Sequence, residues 1–204
     1  MKFTMSMLRS VVGDKDFDLL LSDDKKMSEL VNSGKITLNS IADLDNNTYN
    51  KIFKYFTNKF ISDNKKILID NGDGTFNVNG DIDISSKNYR KLPVKFKVVS
   101  GDFYCSSNQL TTLAGAPEKV GGNFYCSDNQ LTTLVGAPKE VGGYFNCSDN
   151  QLTTLAGAPE KVGGDFICSN NPKLSEKEIE EYKNKLNSNK LKESYINIAN
   201  RFLN

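Results

Sequence analysis

The sequence contains no histidine, and its 26 Lys and Arg residues nearly balance its 25 Asp and Glu residues. The commonest metal ligand and proton shuttle is therefore missing. The sequence also has no phosphate-cradling glycine loop and no nucleophile with a recognisable base. A formal charge of +1 provides no global field that would attract nucleic acid or an anionic membrane. We expect a non-enzymatic protein with no cofactor and no metal site.

Long apolar runs are missing as well, because no stretch approaches the length needed to span a bilayer. The N-terminal segment 1–21 has charged residues inside its only apolar region, which leaves no signal-peptide core and no cleavage site. We therefore expect a soluble protein that stays in the cytoplasm, where thiols are reduced.

What the sequence does contain is a repeat of 21 residues. The segment GNFYCSDNQLTTLVGAPKEVG, residues 122–142, recurs almost unchanged on both sides of itself. The copies are a divergent one at 80–100, three close ones at 101–121, 122–142 and 143–163, and a partial one at 164–174. Similarity at a fixed period is typical of a solenoid in which each repeat stacks on the next.

Within each copy the pattern F-x-C-x-x-N-x-L-x-x-L matches the leucine-rich repeat consensus, a short strand followed by Asn. Side chains alternate across a strand, so the Phe and Cys of each copy are predicted to point inward. The inward residues are Phe103, Phe124, Phe145, Phe166, Cys105, Cys126, Cys147 and Cys168. Asn108, Asn129 and Asn150 should form a ladder and bond the backbone groups left open where each strand ends.

Four cysteines at fixed spacing raise the question of a metal or redox site. Residues on one face of stacked strands run in a line, whereas zinc needs ligands that converge tetrahedrally. A disulfide between neighbours is within reach but would be strained by the parallel side-chain directions. We therefore predict that the cysteines are small buried apolar residues.

The residues before and between the inward pairs are predicted to face outward on a concave parallel sheet, where they form a candidate partner-binding surface. They are Asp102, Tyr104, Asn123, Tyr125, Tyr144, Asn146, Asp165 and Ile167, together with Asp128 and Asp149 at the strand ends. These positions vary while the inward positions do not, as expected of a binding surface on a constant scaffold. Tyr104, Tyr125 and Tyr144 are candidate anchors. A solvated face whose tyrosines reflect only strand propensity is the alternative.

A second surface is a basic patch in the divergent first copy, within eleven residues that include no acid. Its members are Lys87, Arg90, Lys91, Lys95 and Lys97. Such a patch could contact phosphate or an acidic protein, or it could be a solvated edge. Nucleic acid is not an expected partner.

On the convex side, Glu118, Lys139 and Glu160 share one position of the repeat, and Lys119, Glu140 and Lys161 share the next. Opposite charges should therefore stack from turn to turn. Pro117, Pro138 and Pro159 are predicted to fix the returning segment. The glycine pairs that begin at Gly121, Gly142 and Gly163 are predicted to let the chain turn back.

Residues 1–79 form a predicted helical region that ends in a β-hairpin. SELVNSG suggests a short helix ended by Gly34. The segment 46–62 predicts an amphipathic helix, with Tyr49, Ile52, Phe53, Phe56 and Phe60 on one face. ILID and TFNV around NGDG indicate a hairpin. A calcium loop does not fit there, because its twelfth position falls on Gly80 instead of Glu.

Residues 175–204 are predicted to form a two-helix cap on the open end of the solenoid. SEKE is a capping box in which Ser175 and Glu178 satisfy each other's backbone N–H groups. After NSN, a second helix would carry Leu191, Tyr195, Ile198, Ala199 and Phe202 on one face. The predicted fold is thus an α+β repeat solenoid with a helical N-terminal region and a C-terminal helical cap.

The letters FYCSxNQLTTLxGAPxxVGG resemble the short leucine-rich repeats of large tailed bacteriophages and some other viruses, and loosely those of secreted bacterial effectors. This resemblance implies a phage-encoded protein–protein interaction module that binds a host or phage protein through the concave face, in the host-cell cytoplasm. The alternative is a structural component of a virus particle, with the N-terminal helices or the C-terminal cap contacting neighbouring subunits or further copies. Effector ubiquitin ligases carry their nucleophilic Cys in a separate domain, whereas every Cys here lies in a repeat.

Overall fold

A computed structural model describes residues 5–41 and 44–203. Inside the helices, the side chains of residues 6, 11, 12, 193, 195 and 197–203 lie outside this description. The chain divides into two compact units. One is the chain up to Leu68 together with Lys87–Tyr89, and the other is Ile69–Ser86 together with the chain after Tyr89.

The first unit is helical. Its elements are α1 (Met5–Val12), α2 (Asp14–Ser22), α3 (Asp24–Asn32), a 3-10 helix (Leu38–Ile41) and α4 (Asn46–Asp63). Helix α4 starts at Asp45, whose side chain accepts hydrogen bonds from the N–H groups of Asn47 and Thr48. All five apolar residues predicted to share one face of this helix are buried. The short helix suggested before Gly34 is α3, and Gly34 itself has a φ of 72°.

The second unit is a β-solenoid of about four turns with parallel sheets, and from β2 onward the chain visits two sheets in alternation. Sheet A contains β1 (Leu68–Asp70), β2 (Thr75–Val78), β4 (Lys95–Val99), β6 (Lys119–Val120), β8 (Glu140–Val141) and β10 (Lys161–Val162). Sheet B contains β3 (Ile82–Asp83), β5 (Phe103–Tyr104), β7 (Phe124–Tyr125), β9 (Phe145–Asn146) and β11 (Phe166–Ile167). The pairing register in sheet B matches Phe103 to Phe124 and Phe124 to Phe145, which is the 21-residue period.

Sheet A was not foreseen. The sequence predicts only that proline fixes the returning segment, and in the structure this segment forms a strand in each turn. Its inward residues are Val99, Val120, Val141 and Val162, all at most 2% exposed. Each of the strands β6, β8 and β10 contributes a single inward Val, whereas a Phe and a Cys two positions apart mark the strands of sheet B, so no alternation identifies sheet A in the sequence.

The turn between β1 and β2 is built from its own polar side chains. Asp70 accepts a hydrogen bond from the N–H of Gly72 at 2.8 Å, and Asp73 accepts one from the N–H of Thr75 at 2.9 Å. Both glycines of NGDG have positive φ, as the turn letters predicted. The strand pair belongs to the solenoid unit, whereas the boundary drawn from the sequence at residue 79 grouped it with the helices.

The glycine pairs lie at the bends between the strands of sheet A and those of sheet B, where the chain turns as predicted, and they also allow close stacking of the turns. Gly142 does not have a positive φ. A Cβ atom placed on it would lie less than 3.0 Å from the carbonyl of Gly121, a separation that real Cβ atoms essentially never show. A Cβ atom on Gly163 would likewise lie less than 3.0 Å from the carbonyl of Gly142. Only glycine therefore fits where these backbones pass each other.

The charges on the outer face of sheet A alternate as predicted. Lys119 in β6, Glu140 in β8 and Lys161 in β10 are register partners. The Lys119 Nζ atom lies 3.1 Å from a carboxylate oxygen of Glu140, and the Lys161 Nζ atom lies 4.0 Å from the other. The hydrogen bond from Lys119 lowers the pKa of Glu140.

After the last turn, one continuous helix, α5 (Glu176–Leu203), replaces the two predicted helices. The letters NSN do not break it, because Ser and Asn lower helix stability far less than Pro or Gly. The side chains of four residues assigned to the second helix, Tyr195, Ile198, Ala199 and Phe202, lie outside the described residues. Leu191, the fifth, is exposed.

Helix α5 packs against the last turn through three side chains. Tyr182 lies edge-on to the ring of Phe166, with centroids 4.5 Å apart. Lys190 donates to the carbonyl of Gly164 at 3.1 Å. Glu178 accepts from the N–H of Leu155 at 2.7 Å. Only half of the predicted capping box appears in the described contacts: Ser175 accepts from the N–H of Glu178 at 3.2 Å, while the Glu178 carboxylate bonds the solenoid.

Candidate functional site on the outer face of sheet B

The outer face of sheet B carries two parallel columns of side chains, one residue from each turn. The first column lies just before the inward Phe and comprises Asp81, Asp102, Asn123, Tyr144 and Asp165. The second column lies just after it and comprises Asp83, Tyr104, Tyr125, Asn146 and Ile167. Every outward residue predicted from the repeat pattern, apart from Asp128 and Asp149, belongs to one of these columns.

Beneath the columns lies a regular stack of aromatic rings. The rings of Phe103, Phe124, Phe145 and Phe166 follow one another with centroid separations of 5.2, 5.3 and 5.4 Å and interplanar angles below 10°. Stacked aromatic pairs of this kind each add about 0.5–1.5 kcal/mol beyond their buried area. The outer face therefore rests on a rigid, repetitive core.

The four cysteines form the neighbouring inward column and are all buried. Burial raises the pKa of the thiols of Cys105, Cys126 and Cys147. A thiol that stays protonated is a poor nucleophile and a poor metal ligand. Cys105 donates to the carbonyl of Tyr125 at 3.2 Å. The inward, apolar placement predicted for these residues is confirmed.

The recurrent Asn side chains bond backbone groups, as predicted. The backbone groups belong to two successive turns, and the Asn side chains do not bond one another in the described contacts. Asn129 donates to the carbonyl of Cys126 in its own turn at 3.2 Å and to that of Cys105 in the preceding turn at 3.1 Å. Its side-chain oxygen accepts from the N–H of Leu110 at 3.0 Å. Asn150 and Asn171 repeat this arrangement.

The first column is largely structural. Asp102 accepts a hydrogen bond from the N–H of Asn123 at 2.6 Å, and Asn123 in turn accepts one from the N–H of Tyr144 at 2.7 Å. A Cβ atom on Gly122 would lie less than 3.0 Å from the Asp102 carboxylate, so a larger residue there would displace this side chain. Two residues predicted to bind a partner, Asp102 and Asn123, therefore also join successive turns.

The second column contains a pair of stacked tyrosines. The rings of Tyr104 and Tyr125 lie 5.1 Å apart at an angle of 9°. The Tyr104 hydroxyl donates to Asp102 at 2.6 Å. This hydrogen bond raises the pKa of Tyr104 to about 12 and lowers the pKa of Asp102. The pair is thus held in place before any partner binds.

Tyr144 does not continue this row. It precedes its inward Phe whereas Tyr104 and Tyr125 follow theirs, so Tyr144 lies in the first column. The three candidate anchors are therefore a pair in the second column and a single tyrosine in the first. Tyr144 is 45% exposed, and Ile167 at the end of the second column is 38% exposed. The apolar part of the face is therefore a tyrosine pair with two exposed side chains beyond it.

The strand ends add carboxylates at positions with a left-handed backbone. Asp128 and Asp149 have φ values of 53° and 55°, and Asn170 occupies the same position one turn later. Asp and Asn tolerate this conformation better than most residues do. Both aspartates are exposed, and Asp149 accepts from the Asn170 amide at 2.7 Å.

The five residues of the predicted basic patch differ in their surroundings. Lys87 belongs to the helical unit, whereas the other four residues belong to the solenoid unit. Lys97 lies 3.6 Å from Asp73. Lys87, Arg90 and Lys91 all have interaction partners. Lys95 is an exposed side chain of β4.

Within residues 5–41 and 44–203, no three or more Cys, Asp or Glu side chains are grouped so as to hold a metal ion. Within the same residues, no helix has both the length and the apolar character needed to cross a bilayer.

No family model, no curated protein and no solved structure matches this chain.

Proposed function

We propose that this chain is a non-catalytic protein-binding module of the leucine-rich-repeat kind, which docks a partner protein on the outer face of sheet B. One observation carries the proposal: through the three close copies the first outward column changes at every turn and the second changes once, from Tyr to Asn, while the inward Phe and Cys columns are constant. A constant scaffold with variable outward residues is how repeat proteins present a binding surface.

The side chains available on this face suit a protein partner. Tyr104 and Tyr125 are half-buried and stacked, so little conformational freedom would be lost when a partner covers them. Tyr144 and Ile167 offer exposed apolar area beside them. Aromatic side chains that are already ordered are frequent energetic centres of protein interfaces. A merely solvated face would not require this concentration of apolar area.

The partner we propose is a host or phage protein met in the host-cell cytoplasm, which follows from the resemblance of the repeats to those of large tailed bacteriophages. In this proposal α5 is the C-terminal cap of the repeat array. Its contacts to Phe166, Leu155 and Gly164 support that role.

The test is capture of a partner from infected cells with the full chain as bait, followed by identification of bound proteins by mass spectrometry. A variant with Tyr104→Ala, Tyr125→Ala and Tyr144→Ala should lose the captured protein. The control variant carries Lys139→Ala and Glu160→Ala, at exposed positions just before strands β8 and β10, and should retain the captured protein. Capture that is equal with both variants would contradict the assignment of this face.

A second candidate function is that of a structural component of a virus particle. It is favoured by the exposure of two apolar side chains of α5, Leu191 and Ile196, each 59% exposed. Exposed apolar positions on a helix are suited to contact a neighbouring subunit. Mass spectrometry of purified particles distinguishes the candidates, because a protein absent from the particle is not a component of it.

A further inference from the structure

The charges of the solenoid are distributed unequally between its two sheets. The first seven residues of every copy, 80–86, 101–107, 122–128, 143–149 and 164–170, supply sheet B and contain six carboxylates and no Lys or Arg. The carboxylates are Asp81, Asp83, Asp102, Asp128, Asp149 and Asp165. Around sheet A the sequence instead mixes both signs, as Lys119, Glu140 and Lys161 illustrate.

These carboxylates face solvent. Five of the six residues are exposed, and Asp102 is partly exposed. None of the ion pairs between described residues joins one of the six to a lysine or an arginine. A chain whose formal charge is only +1 therefore has one face of uncompensated negative charge, and that face also carries the stacked tyrosines.

We propose that the partner presents a basic surface, rich in Lys and Arg, to the outer face of sheet B; this inference rests on the function proposed above. Complementary charge steers the encounter of two proteins and excludes partners of the wrong sign. Tyr104 and Tyr125 fit the same chemistry, because Lys and Arg side chains pack favourably against aromatic rings. An anionic partner such as a nucleic acid would be repelled by the six carboxylates.

The repeats themselves supply conservative substitutions for a test. Asn170 occupies the left-handed position of Asp128 and Asp149, and Asn123 occupies the column of Asp165. The variant with Asp128→Asn, Asp149→Asn and Asp165→Asn therefore removes three charges while using side chains that the fold already accepts there. A matched control removes three charges elsewhere, with Glu118→Gln, Glu160→Gln and Glu180→Gln.

The probe is a displayed library of random peptides selected on the full chain, followed by affinity measurements on the enriched peptides at low and high salt. We expect the enriched peptides to be rich in Lys and Arg and to bind more weakly at high salt. The Asp→Asn variant should weaken their binding on the order of tenfold, since exposed charge pairs contribute modestly but three are removed. The Glu→Gln control should leave binding unchanged.

A third variant, Tyr104→Ser with Tyr125→Ser, separates the two proposals. Peptides that lose binding to this variant but bind the Asp→Asn variant normally would overturn the basic-partner inference and leave the proposed function standing. Peptides that bind both variants normally, or a selection that enriches no peptide, would count against both. Circular dichroism of each variant verifies that the fold is retained.

Discussion

Glu178 occupies, for the last turn, the place that Ala156 occupies for the turn before. The carbonyl of Ala156 accepts from the N–H of Leu134 at 3.0 Å and from the Thr133 hydroxyl at 3.4 Å. One turn later, the Glu178 carboxylate accepts from the N–H of Leu155 at 2.7 Å and from the Thr154 hydroxyl at 2.8 Å. A helix side chain thus substitutes for the carbonyl that a further repeat would have supplied.

Replacing Glu178 by Ala should destabilise the solenoid by about 1–3 kcal/mol, because the N–H of Leu155 would lose its acceptor in a largely buried position. Glu178→Gln keeps an acceptor oxygen and should cost less. Urea unfolding followed by circular dichroism measures both. Glu180→Ala, on an exposed position of the same helix, is the control, and a loss equal to that of Glu178→Ala would contradict the assigned role.

Replacing Asn150 by Ala should lower the free energy of unfolding by on the order of 3 kcal/mol. The Asn150 side chain donates hydrogen bonds to three backbone carbonyls and accepts one from a backbone N–H in the interior. Asn150→Asp should be at least as damaging near neutral pH, since a carboxylate cannot donate to those carbonyls. The free energy of unfolding is the measurement. Gln151→Ala, at an adjacent exposed position, should change it little. Equal stability of the Asn150 and Gln151 variants would refute the bridging role.

Gly142→Ala should prevent normal stacking of two turns, because its Cβ atom would overlap the carbonyl of Gly121. We expect the free energy of unfolding to fall by about 4 kcal/mol or more, as for other severe steric substitutions. The melting temperature and the yield of folded protein report it. Val135→Ala in the same repeat is the control, because Ala114 and Ala156 show that alanine fits there. A folded Gly142→Ala variant of unchanged stability would show that the turns can separate.

The cysteines should make the protein less stable at alkaline pH. Burial raises the pKa of the thiols in the folded chain, whereas thiols of the unfolded chain ionise near pH 8.5. The folded state therefore binds more protons than the unfolded state above about pH 8.5, and stability falls as the pH rises from there. Below that pH the stabilising contribution is fully present.

Unfolding in a reducing buffer at pH 7.5 and pH 9.5 tests this expectation. Cys126→Ala should reduce the dependence of the unfolding free energy on pH, whatever it does to stability itself. A Thr111→Ala variant, altered at an exposed position, should keep the full dependence. Thiol reagents should also label the native protein far more slowly than the unfolded one. Rapid labelling of the native thiols would contradict their burial.

The inward half of each turn could be predicted from the sequence because it obeys simple alternation. Phe124 and Cys126 are separated by one residue, and a strand places such residues on one face. The role of Asn129 also followed, since a strand end leaves backbone groups that need partners. Repetition strengthened both predictions, since any error would have had to recur in every copy.

Contacts between turns could not be predicted in the same way. The hydrogen bond from the N–H of Asn123 to Asp102 spans 21 residues, and its existence depends on how closely two backbones approach. The same is true of Glu178, whose pattern suggested a local capping role. The position of Tyr144 before its Phe was visible in the sequence, but its consequence appears only when the strands are placed in register.

Because charges alternate along sheet A, adding an even number of repeats keeps opposite charges adjacent, whereas adding an odd number does not. Lys119, Glu140 and Lys161 alternate in sign along one column. Duplicating the single copy 122–142 would place two glutamates side by side, whereas duplicating 122–163 as a pair would keep every neighbour opposite in sign. Because near-identical repeats are prone to gain or lose whole copies, the solenoid should accept changes of length more readily in steps of two turns than in steps of one.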